Sequence, residues 1–165
     1  MTKEKTTTKL FSLGELYVSD FIKAENHSKK GKKRLALVLD SEIGAARLDS
    51  VVDPDVMYGE YWYRSGINST MTKELYSIVS SCCESVDVKA GDIWLDIACN
   101  DGTLLKAVPN NMIKIGIDPA DDSYTNESRQ VADVIIQDFF SAYTYQNSKY
   151  GNKKAKIITT IAMFY

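Results

Sequence analysis

Residues 91–105, Gly-Asp-Ile-Trp-Leu-Asp-Ile-Ala-Cys-Asn-Asp-Gly-Thr-Leu-Leu, constrain the chain more than any other stretch. Ile93, Trp94, Leu95 and Ile97 form a short apolar run, the pattern of a strand buried on both faces. Asp96 interrupts it near its carboxyl end, and the small or turn-forming residues Ala98 to Gly102 follow. Thr103, Leu104 and Leu105 then open a helical pattern. A strand, a tight turn and a helix N-terminus predict an α/β fold. In a doubly wound sheet, the crevice at the strand's carboxyl end is where a nucleotide-like ligand sits. Ala98 is small enough for close backbone approach, and Asn100 tolerates a left-handed φ better than most residues.

The segments around it fit that plan. Met71, Leu75, Ile78, Val79, Cys82 and Val86 recur at helical spacing after Asn68, with Asn68, Ser69 or Thr70 as the cap. Ile113, Ile115 and Ile117 alternate with Lys114 and Gly116, a second strand ending at Asp118-Pro119. Asp118 lies 22 positions after Asp96, where an acidic residue is placed for a ribose hydroxyl pair; the alternative is an Asp capping the next turn. Residues 120–130 predict a short helix, Ala132 to Ile136 a third strand, 143–155 a polar linker or loop, and Ile157 to Phe164 a fourth strand.

Composition excludes several functions. The chain has 165 residues, 44% hydrophobic and 25% charged, with net charge −2. That balance gives no electrostatic case for nucleic acid or a membrane surface as partner. No apolar run approaches the roughly 20 residues of a membrane span, and residues 1–9 lack the apolar core of a signal peptide. Cys82, Cys83 and Cys99 include an adjacent pair, so a reducing, cytoplasmic location is expected rather than a disulfide framework. Three Asn-x-Ser/Thr matches, at Asn26, Asn68 and Asn126, are then read as chance.

Residues 1–9 read as a disordered tail. Residues 10–23 hold enough apolar side chains to pack. Lys29, Lys30, Lys32, Lys33 and Arg34 form a basic loop, either a solvated hairpin tip or a contact for a phosphate-bearing substrate. Leu35 to Leu39 read as a strand, with 45–52 as its partner. The aromatic stretch 58–71 reads from composition as core packing between two lobes.

The stretch Asp96-Ile-Ala98-Cys-Asn100-Asp-Gly102 resembles the first motif of class I S-adenosylmethionine-dependent methyltransferases, with Ala98, Asn100 and Gly102 at its alternating glycine positions. Asn-Asp-Gly-Thr-Leu-Leu at 100–105 is similar to the form found in the sugar C-methyltransferases. Residues 10–62 resemble the small zinc-binding domain of that family through Leu13-Gly14, the Leu-Val-Leu strand and Asp53-Pro54. Where the family carries a Cys-x-x-Cys-Gly knuckle, this chain has Asp40-Ser-Glu-Ile43-Gly44. Isoleucine offers a metal no lone pair, and a structural site needs four ligands, so the knuckle's shape is expected without zinc. His27 is the single histidine and reads as neither ligand nor base.

The resemblance implies S-adenosylmethionine as cofactor. It implies a Rossmann-like methyltransferase sheet, of which the first four strands are present, with a small N-terminal β-rich lobe. The division is a tail over 1–9, the lobe over 10–62 and the cofactor-binding domain over 63–165. It implies that Tyr61, Tyr63 and Ser65 fold over the methionine end of the cofactor, with Arg64 among the donors for its carboxylate. It assigns Asp96, Ala98, Asn100 and Gly102 to the cofactor turn, Asp118 to the ribose, and Asp138 and Phe139 to the adenine. Phe139 and Phe140 read equally well as plain core.

Two classes of function follow. One is a transferase, or the cofactor-binding half of one, that C-methylates a nucleotide-linked sugar or similar small-molecule acceptor. The other is a non-catalytic, truncated module that binds the cofactor or a partner chain. A nicotinamide-dependent oxidoreductase fits less well, because its fingerprint wants glycines where Ala98 and Asn100 stand. No catalytic base is assigned. The acceptor side is expected beyond the fourth strand, so this chain alone is expected to show no turnover. The apolar face of Ile157, Ile158 and Ile161 is expected to lie at an exposed edge that favours self-association.

Overall fold

The computed structural model describes residues 7–18, 31–58 and 63–163. The chain divides into two compact units, Met1–Met57 and Tyr58–Tyr165, against an expected boundary after residue 62. The first unit is an antiparallel sheet of β1 (Thr7–Tyr17), β2 (Lys32–Asp40) and β3 (Ala45–Leu48), with β2 in the centre. A short helix, α1 (Pro54–Tyr58), follows.

Three expectations for this unit need correction. Thr7, Thr8 and Lys9 belong to β1 rather than to a tail, because β2 supplies backbone partners as far as Thr7↔Asp40. Lys32, Lys33 and Arg34 open β2 rather than forming a loop, and Arg34 pairs with Asp49 at 3.5 Å. The apolar residues of β1 do not pack into a core: Leu10, Phe11 and Leu13 are about half exposed. His27 and the rest of the basic stretch lie outside the described residues.

The expected knuckle is a tight hairpin turn. Gly44 takes a left-handed φ of 66° and donates its N–H to Asp40 O at 2.9 Å. Asp40 Oδ1 accepts from Glu42 N at 3.1 Å and Oδ2 from Arg47 Nε at 3.0 Å. The Arg47 guanidinium holds the Asp40 carboxyl below its usual range. A carboxylate and a guanidinium thus close the turn. The described residues contain no cluster of three His, Cys, Asp or Glu side chains placed to hold a metal.

The second unit is α/β. Its sheet is wholly parallel, with β4 (Ile93–Ile97), β5 (Ile113–Ile117), β6 (Val134–Ile136) and β7 (Ile157–Thr160) in the order β6-β5-β4-β7. The chain steps outward from β4 to β6, then returns to lay β7 on the other side of β4. Strand order reverses there, and in open α/β sheets ligands bind in the crevice at that switch point.

Alternation along β4 feeds two cores. Trp94 joins Leu75 and Val79 of α2 (Ser69–Ser85) and Leu104 of α3 (Thr103–Ala107) on one face. Ile93 and Leu95 join Ile115 and Ile117 on the other. Asn68 is the cap of α2, accepting from Thr70 N and Met71 N. The predicted helix within 120–130 is α4 (Asp122–Ser128), capped by Asp121.

Two expectations fail here. The stretch read as linker contains α5 (Ala142–Gln146), started by Ser141 Oγ accepting from Thr144 N, and Tyr145 packs against the second core. Five residues are too few to show helical periodicity. The fourth strand ends at Thr160, and its isoleucines do not form one face: Ile157 is buried while Ile158 is 57% exposed, because consecutive strand residues point to opposite sides. Ile161 lies beyond the strand and packs partly against the first core. Among the described residues no helix is long and apolar enough to cross a membrane.

Gly116 sets how closely the turn after β4 lies on β5. A Cβ there would stand 2.5 Å from Cys99 Sγ and 2.7 Å from Ile135 Cδ1. Gly116→Ala is expected to cost about 1–3 kcal/mol by overpacking, read from urea unfolding. Adding Cys99→Ala is expected to recover part of that loss, since the two changes share one contact.

Candidate functional site

The turn after β4 has an alternating backbone. Ala98, Asn100 and Gly102 have φ of 59°, 51° and 76°, so all three glycine-like positions are left-handed although only one is glycine. For alanine this costs about 1–2 kcal/mol. The conformation is held by Ala98 N–H donating to Ile117 O at 2.7 Å and Gly102 N–H to Cys99 O at 2.9 Å. Gly102 has a second constraint, because a Cβ there would stand 2.9 Å from Ser128 Cα and from Val131 Cγ2.

Asn100 does work that glycine cannot. Its backbone N–H donates to Asp118 Oδ2 at 2.7 Å, its Nδ2 to Tyr63 O at 2.9 Å, and its Oδ1 accepts from Ser65 N at 3.1 Å. Asp101 Oδ2 accepts from Gly66 N at 2.7 Å and Oδ1 from Thr103 N at 3.0 Å. These bonds fasten residues 63–67, which include a 3-10 turn at Ser65–Ile67, over the turn and the start of α3.

Two adjoining cavities open at the strand ends. The outer, of about 200 Å³, is bounded by Ile97 and Ala98 after β4, Asp118 after β5, Phe139 and Phe140 after β6, and Ile161 to Met163 after β7. The inner, of about 90 Å³, contains Asp96, Cys99 and Met71. Tyr63, Ser65, Ala98, Ile161 and Ala162 line both. Ala162 is also left-handed, with φ of 54°. Among the described lining residues the charged groups are Asp96 and Asp118, with no Lys, Arg or His.

Both carboxylates are perturbed. Asp96 is buried, and burial raises its pKa to about 7, with the Asp118 charge adding to the rise and the Thr159 hydroxyl opposing it. Thr159 Oγ1 donates to Asp96 Oδ1 at 2.6 Å and accepts from Trp94 Nε1 at 3.0 Å. Burial also raises the pKa of Asp118, opposed by the N–H groups of Ala120 and Asn100. Asp118 therefore does cap the next turn, through Ala120 N at 2.8 Å, while its other oxygen ties down the turn after β4.

The structure brings together Tyr63, Ser65, Asp96, Ala98, Asn100, Asp118 and Phe139 at these cavities. Gly102 packs against α4 instead. Asp138 is exposed, outside the lining, and its Oδ1 accepts from Phe139 N. Tyr61 lies outside the described residues. Phe139 and Phe140 are 38% and 48% exposed, so they form the cleft's rim rather than core. Arg64 turns away from the cavities: it pairs with Glu127, donates to Ser123 O at 3.3 Å and lies 4.4 Å over the Tyr124 ring, since α4 offers both an anion and a π face. Asp101, Thr159 and Ala162 are additional site residues. The Asn-Asp-Gly run signals a turn at Asp101, whereas nothing local signals the other two.

No protein-family model and no curated protein sequence matches the chain.

Two outcomes are expected. Asn100→Gly keeps the left-handed turn but removes the side-chain clamp, so exchange of the Ser65 amide should quicken about fivefold, the loss of roughly one net hydrogen bond, measured by hydrogen exchange. For Asp96, a folded pKa of about 7 stands above an unfolded value of roughly 3.9. The folded state holds the extra proton, so this group's contribution is full below pH 4 and is lost as pH rises to 7. Asp96→Asn should flatten that fall, on the order of 4 kcal/mol at most, in urea unfolding followed from pH 4 to 8.

Proposed function

We propose that residues 58–165 form a Rossmann-like S-adenosylmethionine-binding unit of class I methyltransferase type. The strand order β6-β5-β4-β7, the cleft at its switch point and the carboxylate after β5 support a nucleoside ligand. Dinucleotide enzymes share those features. The observation that separates the two is the cover on α3. A dinucleotide's pyrophosphate sits against the glycine turn and the helix N-terminus. Here that place is occupied by residues 65–67, with the Asp101 carboxylate on Gly66 N–H and Thr103 N–H. A buried carboxylate repels an anion. The space that stays open leads inward to Asp96, which suits the ammonium of a nucleoside's amino-acid end.

In this reading Asp118 receives the ribose, Phe139 flanks the adenine, and Tyr63, Ser65 and Asp96 surround the amino-acid end. The donor chemistry fits a cationic cofactor, because the charged lining residues are carboxylates. The cofactor supplies an electrophilic methyl group on a sulfonium. The chain's own residues hold it, keep water from its amino-acid end and leave one side open past Phe140 and Met163. The acceptor is proposed as a small molecule. A nucleotide-linked sugar would require cations for its diphosphate, and the described lining supplies none.

A second reading is a module that binds the cofactor without turnover. It is favoured by the state of Asp118, which is committed to two backbone N–H groups and so is not free as a general base for C-methylation.

Calorimetry with S-adenosylhomocysteine and with NAD tests the assignment. The nucleoside is expected to bind and NAD to bind more weakly. Asp118→Ala is expected to weaken binding by about 1–3 kcal/mol, in protein shown by circular dichroism to be folded. Tighter NAD binding would overturn the reading.

A further inference from the structure

Asp96 is a carboxylate with a fixed partner on one side and a cavity on the other. Trp94 Nε1 can only donate, and it donates to Thr159 Oγ1 at 3.0 Å. Thr159's single proton is therefore directed away from the indole. Asp96 Oδ1 lies 2.6 Å from that hydroxyl, while Leu95 O is at 3.5 Å. The proton goes to the carboxylate. All three residues are buried, and β4 and β7 hold them in register, with Asp96 beside Thr159. Oδ2 has no hydrogen bond among the described residues, and Asp96 lines the inner pocket.

We propose that Thr159, oriented by Trp94, is a positioning residue that fixes Asp96 as an ammonium receptor, so that a primary ammonium entering the inner pocket displaces a proton from Asp96. The proposal rests on the cofactor reading for the identity of the ligand, and on the Trp94–Thr159–Asp96 chain for the coupling.

Among the described residues no cation lines the pocket beside Asp96. From the end of β5 it faces the Asp118 charge, which favours its protonated form. Cys99 of the adjoining turn is buried, and its thiol is held well above the ordinary range, hence neutral. Asp101, on the same turn, is engaged with Gly66 and Thr103. The covering segment brings Tyr63 and Ser65 to the pocket while Arg64 turns to Glu127. α2 contributes Met71 and Leu75, α3 Leu104, and β7 the Thr159 hydroxyl. Burial accordingly places the Asp96 titration at about 7. A ligand ammonium would be the first cation beside it. Its arrival favours the charged carboxylate, so binding strengthens as pH rises through 7 and releases a proton to solvent.

The test uses the full chain with 13C-labelled aspartate carboxyls. In the free protein the Asp96 carboxyl is expected to titrate near pH 7. Thr159→Val removes the donor and should move that midpoint upward, whereas Thr159→Ser should restore it. S-adenosylhomocysteine is the ammonium-bearing probe. Its affinity should rise about tenfold between pH 6 and 8, with proton release seen by calorimetry in buffers of different ionisation heat. Thr159→Val should shift that profile to higher pH, and Asp96→Asn should abolish it. A role in packing alone would lower affinity without moving the profile. An Asp96 midpoint below 5, or one unchanged in Thr159→Val, overturns the positioning role. A probe that binds with a flat pH profile overturns the coupling alone. A probe that fails to bind at any pH overturns the cofactor reading and the coupling with it, while the carboxyl titration still decides the role of Thr159.

Discussion

The bond from Asn100 N–H to Asp118 Oδ2, at 2.7 Å, is the interaction on which the site depends. It joins the turn after β4 to the end of β5, and so fixes the two strand ends that border the outer cavity. Asn100 is left-handed at this point, with φ of 51°, a conformation asparagine adopts more readily than most residues. Once that geometry is imposed, the Asn100 amide is positioned to grip Tyr63 and Ser65 from above. One residue therefore couples the floor of the site to its cover. Glycine would supply the backbone angle at lower cost and supply none of the grip.

The same device explains why the turn tolerates alanine at position 98. Strain of about 1–2 kcal/mol in a left-handed alanine persists only where neighbours over-determine it. Here Ile117 O receives the N–H of Ala98, and Gly102 locks the next turn against Ser128. A third left-handed non-glycine, Ala162, stands at the end of β7 and lines the same cavities. Among the described residues of this unit, left-handed φ outside glycine is confined to the mouth of the cleft. The sheet behind it is regular and its residues sit in two ordinary apolar cores.

Much of this was legible in the sequence, for identifiable reasons. The strand, turn and helix at 93–105 were readable because a buried strand and an amphipathic helix have different periods. The left-handed character of Asn100 followed from residue type. What was missed lies where periodicity carries no information. The helix α5 is one turn long, and β1 begins at Thr7 because β2 offers it backbone partners, not because its side chains pack. The resemblance places Arg64 among the donors for the ligand's carboxylate, but Glu127 and Tyr124, some sixty residues away, claim it. Thr159 is the clearest case. Its partner Asp96 is 63 residues away in sequence, and only the register of β4 with β7 brings the two together.

The electrostatic balance of the site argues for a ligand of definite sign. Asp96 and Asp118 end adjacent strands, both are buried, and the described residues lining the cavities offer no cation between them. Burying like charges in this way works against folding. A purely structural turn would be better served by neutral residues, and a phosphate site by the opposite charge. The apolar cores do not require either carboxylate, since Trp94, Leu95, Ile115 and Ile117 are already packed without them. The unfavourable charge is thus localised to the crevice at the strand ends, and among the described lining residues no cation relieves it. In the proposed reading a cationic nucleoside would answer that charge, with its sugar and base in the outer cleft and its positive charge at the inner pocket.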